Sequence, residues 1–435
     1  MFKNVSASSK AVQNDDAGIK SDGKGEGVAP PASSVVLGEL AKGASRLSII
    51  KLVEALMSEA YNMRASDIHI DPEEEKLRVR FRVDGVMSDI YTFPKDVQQE
   101  IITRIKVIAG LRTDEHQVAQ DGRFKAAIAN IGYVDIRVSI APTYHGENCV
   151  MRILAEQSQE FSLDSIGYSD TDLVKVRRAM DKPYGMILVV GPTGSGKTTS
   201  LYAILKELNT PEVSVITIED PVEYSLAGID QIQVNEHTGL TFAHGLRFIL
   251  RQDPNVIMVG EIRDEETANI AVNAAMTGHK LLSTLHANDA PTALPRLIDM
   301  NVEPFLIAST INVIVGQRLV RTICSTCKIP KKMSDAEFEH AKQFIPPDIL
   351  KDQRDFFVGG GCDACGQSGF KGRIGIHEVL EMSDGIRDLI MKHGNASDIR
   401  EAAIREGMVT MIRDGFAKAM AGITTVEEVL RVFRE

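Results

Sequence analysis

Residues 186–208, MILVVGPTGSGKTTSLYAILKEL, join an apolar run to a stretch of helical spacing through a turn studded with glycine. The pattern GxxxxGKT, carried by Gly191, Gly196, Lys197 and Thr198, has a physical reason at each place. Glycines let backbone N–H groups turn inward around phosphate oxygens. The lysine reaches the terminal phosphates, the threonine hydroxyl serves Mg2+, and the N-terminus of the following helix adds a positive field. Gly191, Pro192, Thr193, Gly194, Ser195, Gly196, Lys197, Thr198 and Thr199 are therefore the expected nucleotide-binding loop. An ordinary strand-to-helix turn needs glycine but has no use for this lysine and threonine at fixed places. The loop implies that ATP or GTP binds and leaves open what the binding drives.

Outward from the loop, strand-like and helix-like segments alternate: VSVITIED, FAHGLRFIL, VIMVGE, DEETANIAVNAAM and KLLSTLH. That alternation predicts a RecA-like P-loop domain over residues 183–322, an α/β fold with a mostly parallel sheet and helices on both faces. The carboxyl ends of such strands line the ligand site. Three of them end in polar residues: Glu219 and Asp220, with Glu223 just beyond, then Glu261, then His286. A common P-loop signature places Asp before Glu at the second of these ends, the Asp helping to hold Mg2+. Gly260 takes that place here, so Mg2+ is expected to rest on Thr198, Glu261 and water, with Glu219 a further candidate. Asp220 and Asp264 read more simply as surface or capping carboxylates.

The 435 residues carry a net charge of −11, no Trp and 5% aromatics, which argues against direct nucleic-acid binding. No apolar run approaches the roughly 18 residues of a membrane span, and the N-terminus lacks a secretory pattern, so a cytoplasmic chain is expected. Residues 1–46 show no period and read as a flexible tail. Residues 47–158 read as a small α+β domain. It holds a helix capped by Ser48, strands SDIHID, KLRVRFRVDG and VMSDIYTF with a DG hairpin turn, a helix ended by Gly110, and strands YVDIRVSIAP and NCVMRIL. The polar stretch 159–182 reads as a hinge. In KLRVRFRVDG, Arg78, Arg80 and Arg82 share one strand face, a row of like charge that needs either the protein's own carboxylates or an anion beside it.

Of five cysteines, Cys149 sits in an apolar run and reads as core, while Cys324, Cys327, Cys362 and Cys365 form two CxxC knuckles. Each knuckle supplies two sulfurs from one tight turn, which a tetrahedral Zn2+ site requires; a redox dithiol is the other reading. Residues 323–375 are the expected zinc-binding region.

Together these motifs resemble the secretion and type IV pilus assembly ATPases. GPTGSGKTTSLY looks like that family's Walker A motif, TIEDPVEY its aspartate box, NVIMVGEIRDEETA its Walker B motif and TGHKLLSTLHANDA its histidine box. SDIHID and FRVDG resemble its small N-terminal domain, and CDACGQSGFKGRIGIHEVL its zinc region and the start of a C-terminal helical part, here 376–435. The resemblance runs from about residue 45 to 435. It implies an ATP-hydrolysing hexameric motor that drives a membrane platform protein to build a type IV pilus or type II secretion pseudopilus, working at the cytoplasmic face of the inner membrane. It further implies that Glu261 places Mg2+ and the attacking water, that Glu219 and Glu223 assist, and that His286 senses the γ-phosphate or braces the site. Which carboxylate is the base stays open. Arg82 and Arg137 match arginines that contact the phosphates, within one chain or across the ring. The four cysteines favour the assembly branch over retraction motors. Many members carry a further N-terminal docking domain, and some a paired RLG pattern that binds a cyclic dinucleotide; neither is expected here. The alternatives are a conjugation or DNA-transfer motor, a DNA-stimulated RecA-like ATPase, and a scaffold that binds nucleotide without turnover.

Overall fold

The computed structural model describes residues 34–41, 47–129, 131–154, 162–345 and 347–434. Of the expected flexible tail, residues 1–33 and 42–46 lie outside the described residues, but the rest corrects that expectation: Val35–Leu40 form a helix, α1. Ser34 caps it, the Val36 N–H donates to a Glu59 carboxylate oxygen at 3.1 Å, and the Val36 side chain is fully buried. VVLGEL is too short for a helical period to stand out in the sequence.

The small domain continues with α2 (Ile49–Asn62), whose cap is Ser48, then β1 (Ala65–Pro72), β2 (Lys76–Val83), β3 (Val86–Pro94), α3 (Gln98–Ala109), β4 (Gln120–Ile128), β5 (Gly132–Thr143) and β6 (Gly146–Leu154). All neighbours in the sheet order β3-β2-β1-β6-β5-β4 are antiparallel. The β2–β3 turn places Asp84 at φ 50° and Gly85 at φ 88°, the double positive φ that a tight two-residue hairpin needs. Leu52, Leu56, Ile101 and Ile105 from the helices meet Ile68, Leu77, Phe81 and Ile136 from one sheet face. The other face is left to charged residues.

The stretch read as a hinge is more than a connector. Its beginning, 159–161, lies outside the described residues, yet Leu163 and Ile166 are buried, and Asp170–Asp181 form α4 with Val176, Ala179 and Met180 packed into the next core. The chain then runs through β7 (Gly185–Val190), α5 (Lys197–Leu208), β8 (Val215–Glu219), β9 (Asp230–Gln233), α6 (Phe242–Ile249), β10 (Val256–Ile262), α7 (Glu265–Met276), β11 (Lys280–Leu285), α8 (Ala290–Asp299), α9 (Pro304–Thr310) and β12 (Ile311–Ile323). An excursion follows, made of β13 (Lys328–Lys332), α10 (Asp335–Lys342), α11 (Pro347–Leu350) and β14 (Asp355–Gly359). The chain closes with β15 (Phe370–Glu381), α12 (Asp384–Met391), α13 (Ala396–Arg405), α14 (Met411–Met420) and α15 (Val426–Arg434).

The large sheet has the order β15-β12-β7-β11-β10-β8-β9 and is parallel except for β15. Central β7 is buried at every residue because it serves two cores at once. Met186, Leu188 and Val190 face the cluster made with α6, α7, α8 and α9, while Ile187 and Val189 face the one made with α4 and α5. β15 crosses the boundary drawn from sequence at 375/376: it is the sheet's antiparallel edge strand, not the start of a helical part, and it pairs with β12 from Val313↔Glu381 to Ile323↔Phe370.

Candidate nucleotide-hydrolysis site and tetracysteine cluster

Parallel strands β7, β8, β10 and β11 end along one edge of the sheet, and the chemistry gathers there. β7 passes directly into the glycine loop. Gly196, at φ 84°, caps α5 in a conformation that an L side chain rarely adopts. A Cβ on Gly191 would lie 2.3 Å from the Gln317 carbonyl oxygen, so the loop can lie this close to β12 only with glycine there. Lys197 folds over the loop and donates to the carbonyls of Gly191 at 2.8 Å and Pro192 at 3.1 Å. Burial lowers its pKa, an effect that Glu261 opposes.

Glu261 leaves β10 where the ladder to β11 becomes irregular, between Val259 and Ile262. The preceding Gly260 passes so near β8 that a Cβ would stand 3.3 Å from the Glu219 Cα and the Ile218 carbonyl, a physical reason for glycine where Asp is common. The Glu261 carboxylate is held by Arg263 on one oxygen and by His286 Nε2 at 2.9 Å on the other. Burial pushes its pKa up, but these two donors and their charges outweigh burial and hold it below the usual carboxylate range. Glu261 is thus an anion, and His286, at the end of β11, is its direct neighbour.

Glu219 differs from the sequence expectation. Its side chain is 2% exposed and its oxygens accept from Tyr202, from Thr217 Oγ1 at 2.6 Å and from Gln231 Nε2 at 3.1 Å. Such a network braces β8, α5 and β9 together and leaves the carboxylate enclosed, away from metal or water. Glu223 lies exposed on the loop after β8, and Thr198 is half-buried in the first turn of α5. Asp264 caps α7 by accepting from the Thr267 N–H at 2.8 Å.

On the small domain, carboxylates of β1 and of the turn that follows it answer the row of arginines on β2. Arg78 pairs with Glu73 at 3.1 Å, Arg80 with Asp71 at 2.8 Å and Arg82 with Asp67 at 3.3 Å. Register reveals a second row that the sequence reading missed. Arg82, Asp67, Arg152, Arg137 and Arg123 stand opposite one another on β2, β1, β6, β5 and β4. Asp67 also holds Arg152 at 2.9 Å, and Asp135 holds Arg123 at 3.1 Å. Arg137 is different: it donates across the domains to the Val222 carbonyl, at 3.4 Å, in the loop after β8 that carries Glu223. Spacing within single strands cannot show this row, because it runs across five of them.

The two CxxC knuckles close the mouth of the excursion. Cys324 follows β12 and Cys365 precedes β15, so the residues between the knuckles leave and return at paired strand ends. The four sulfurs lie within 4.8 Å of one another, with Cys324–Cys362 at 3.8 Å, Cys327–Cys365 at 3.9 Å and Cys362–Cys365 at 3.7 Å. A tetrahedron with Zn–S bonds of about 2.3 Å has edges of about 3.8 Å, so the donor set fits zinc. Backbone N–H groups of Cys362 and Gly369, each 3.3 Å from the Cys365 sulfur, favour its thiolate form.

A phosphate loop at the end of β7, with His286 after the adjacent β11 and an ionised Glu261 on β10 beyond it, is an arrangement of the P-loop ATPase class. The chain belongs to the family described as type II/IV secretion system protein, whose sequence profile matches residues 42–431. It is 43% identical over 392 residues to the type IV pilus assembly ATPase PilB of Myxococcus xanthus, covering 90% of this chain and 69% of that protein. It is 46% identical over 388 residues to the type II secretion system ATPase E of Vibrio cholerae, covering 89% and 76%. Its fold is similar to that of the Legionella pneumophila ATPase DotB, with a TM-score of 0.63 at 21% identity over 88% of this chain and 95% of that one. The pilus retraction motor PilT with bound ADP is likewise similar, with a TM-score of 0.58 at 24% identity over 87% and 96%.

Proposed function

We propose that this chain is the ATP-hydrolysing motor of an assembly machine that builds a type IV pilus or a type II secretion pseudopilus. The single observation that carries this reading is the strand edge where Lys197, Glu261 and His286 meet, in a chain 43–46% identical to pilus assembly and type II secretion ATPases over about nine-tenths of its length. Thr198 and Glu261 would hold Mg2+, a hard ion that takes oxygen donors and, when bound, offsets charge on the phosphates. Glu261 orients the attacking water and accepts its proton, His286 fixes the Glu261 carboxylate, and Lys197 turns from the loop carbonyls to the terminal phosphates. Glu219 acts through Tyr202 by holding α5, and Glu223 stays an auxiliary of the exposed loop. Arg137, already against that loop, supplies charge to the phosphates, and Arg82 extends the same row. Domains follow the same scheme: a small domain presenting arginines, a P-loop core and a zinc-closed excursion.

Work of this kind requires a ring of copies and a platform protein in the inner membrane. A place at the cytoplasmic face of the inner membrane belongs to the same reading, and among the described residues no helix is long and apolar enough to cross a membrane. The test is a strain whose only copy carries Lys197→Ala: filaments or secretion should be lost while the protein persists at its normal level, and unimpaired assembly overturns the proposal.

Zinc belongs to the same reading. The purified chain is expected to carry about one Zn2+ per molecule, and Cys362→Ser with Cys365→Ser to carry less than about a tenth. The excursion packs through Phe338, Leu350 and Phe356 against Phe416 and Leu430 of α14 and α15. The double variant should therefore expose this region to proteolysis while ADP affinity stays within about twofold, since the cysteines lie outside the phosphate loop and residues 320–323 of β12 separate Cys324 from Leu319, which lies beside Gly196. Metal analysis and limited digestion check both, and full resistance of the metal-free variant contradicts the role.

A further inference from the structure

We propose that Gln317, on β12, is a positioning residue of the phosphate loop: its carboxamide sets the direction in which the Gly196 N–H points, and so the loop's grip on the nucleotide phosphates. The inference rests on the ATPase reading above and extends it to a residue outside the motifs.

Gln317 is fully buried. Its Nε2 donates to the Ser195 carbonyl at 2.8 Å, and its Oε1 accepts from Ser200 Oγ at 2.6 Å, so both ends of the carboxamide are committed. The assignment has one solution, because a carbonyl can be met only by the NH2 end. A trans peptide is planar and its C=O and N–H point in opposite directions. Holding the Ser195 carbonyl toward β12 therefore turns the Gly196 N–H away from β12, to the side where the loop encloses phosphate. Ser200, in the first turn of α5, fixes the rotation of the carboxamide. The Gln317 main chain adds a second restraint, since its carbonyl oxygen leaves room at Gly191 only for glycine. One residue thus holds the loop at its first glycine, at its last peptide and at the first turn of its helix. A loop anchored in this way pays less ordering entropy when phosphate binds.

The experiment compares wild type, Gln317→Met, Gln317→Glu, Ser200→Ala and the double variant Ser200→Ala with Gln317→Met. It reads ADP affinity with Mg2+ by titration calorimetry, KM and kcat for MgATP, and melting of the nucleotide-free chain. Gln317→Met is expected to weaken ADP binding and raise KM by fivefold or more, the worth of about one buried hydrogen bond, with melting shifted by only a few degrees. Gln317→Glu should be worse, because a carboxylate cannot donate to the Ser195 carbonyl and sets its charge against it. Ser200→Ala should weaken binding on its own and add nothing once Gln317 is Met, since it acts through the carboxamide. A change below fivefold in Gln317→Met overturns the inference, as does a Ser200→Ala effect that persists in the double variant. Should Gln317→Met fail to fold, Ser200→Ala decides, and an unchanged KM overturns the inference. Wild type that binds no ADP would instead refute the ATPase reading itself; wild type that binds and hydrolyses while Gln317→Met behaves identically refutes only the role of Gln317.

Discussion

Lys197→Ala is expected to abolish ATP hydrolysis, and Glu261→Gln to keep ATP bound while slowing turnover by about 100-fold or more, the usual worth of a positioned general base. The two variants probe different parts of one edge. Lys197 is the only lysine of the loop, poised 2.8 Å from the Gly191 carbonyl, and alanine leaves the phosphates without their cation. Glu261→Gln preserves shape and still accepts from His286, but it removes the negative charge that Arg263 and His286 hold ionised. Binding should then survive and chemistry should not. Retained ATP affinity with a stalled rate is the signature, measured by equilibrium binding and phosphate release on the same preparation. Wild-type turnover in Glu261→Gln would remove this glutamate from the mechanism.

Arg137→Ala is expected to lower turnover by about a thousandfold, the lower end of what an arginine finger supplies by meeting charge that develops on the transferring phosphoryl group. Each other arginine of its row is met by a carboxylate among the described residues, whereas Arg137 meets a main-chain carbonyl beside the aspartate-box loop. Among the described residues its charge has no carboxylate partner, and it reaches the loop after β8. Arg82→Ala should also slow turnover, with ADP affinity only modestly weakened in both variants. Lysine should rescue poorly at either place, because a point charge does not reproduce the guanidinium fork. Rates unchanged in both variants would return the whole row to a solvated, internally neutralised strand face.

Much of this was legible in the sequence, for reasons that differ by residue. The loop at 191–199 and the strand ends at Glu261 and His286 are local signals, carried by contiguous residues in a fixed order. The cap at Ser48, the Asp84-Gly85 turn and the stop at Gly110 are local too, and each stands where expected. What sequence hid is set by pairing across distance. Arg152 joins Arg82 and Arg137 only through strand register, and β15 is core rather than tail only because β12 lies beside it. Helix α4 was obscured by polar neighbours, since its buried residues are just Asp172, Val176, Ala179 and Met180. Glu219 looked like a metal ligand by its place at a strand end; its side chain turned inward because Tyr202, Thr217 and Gln231 supply buried donors. Gln317 carries no motif at all, and only its contacts with the loop reveal it.

The central claim is that this chain spends ATP on protein assembly rather than on nucleic acid. Phosphate release from MgATP by the purified wild-type chain, alone and with single- or double-stranded DNA, beside Lys197→Ala as the blank, tests it most directly. The account predicts release by wild type at a rate that DNA does not change, and none by Lys197→Ala. No release above the blank, or release that appears only when DNA is added, would contradict it.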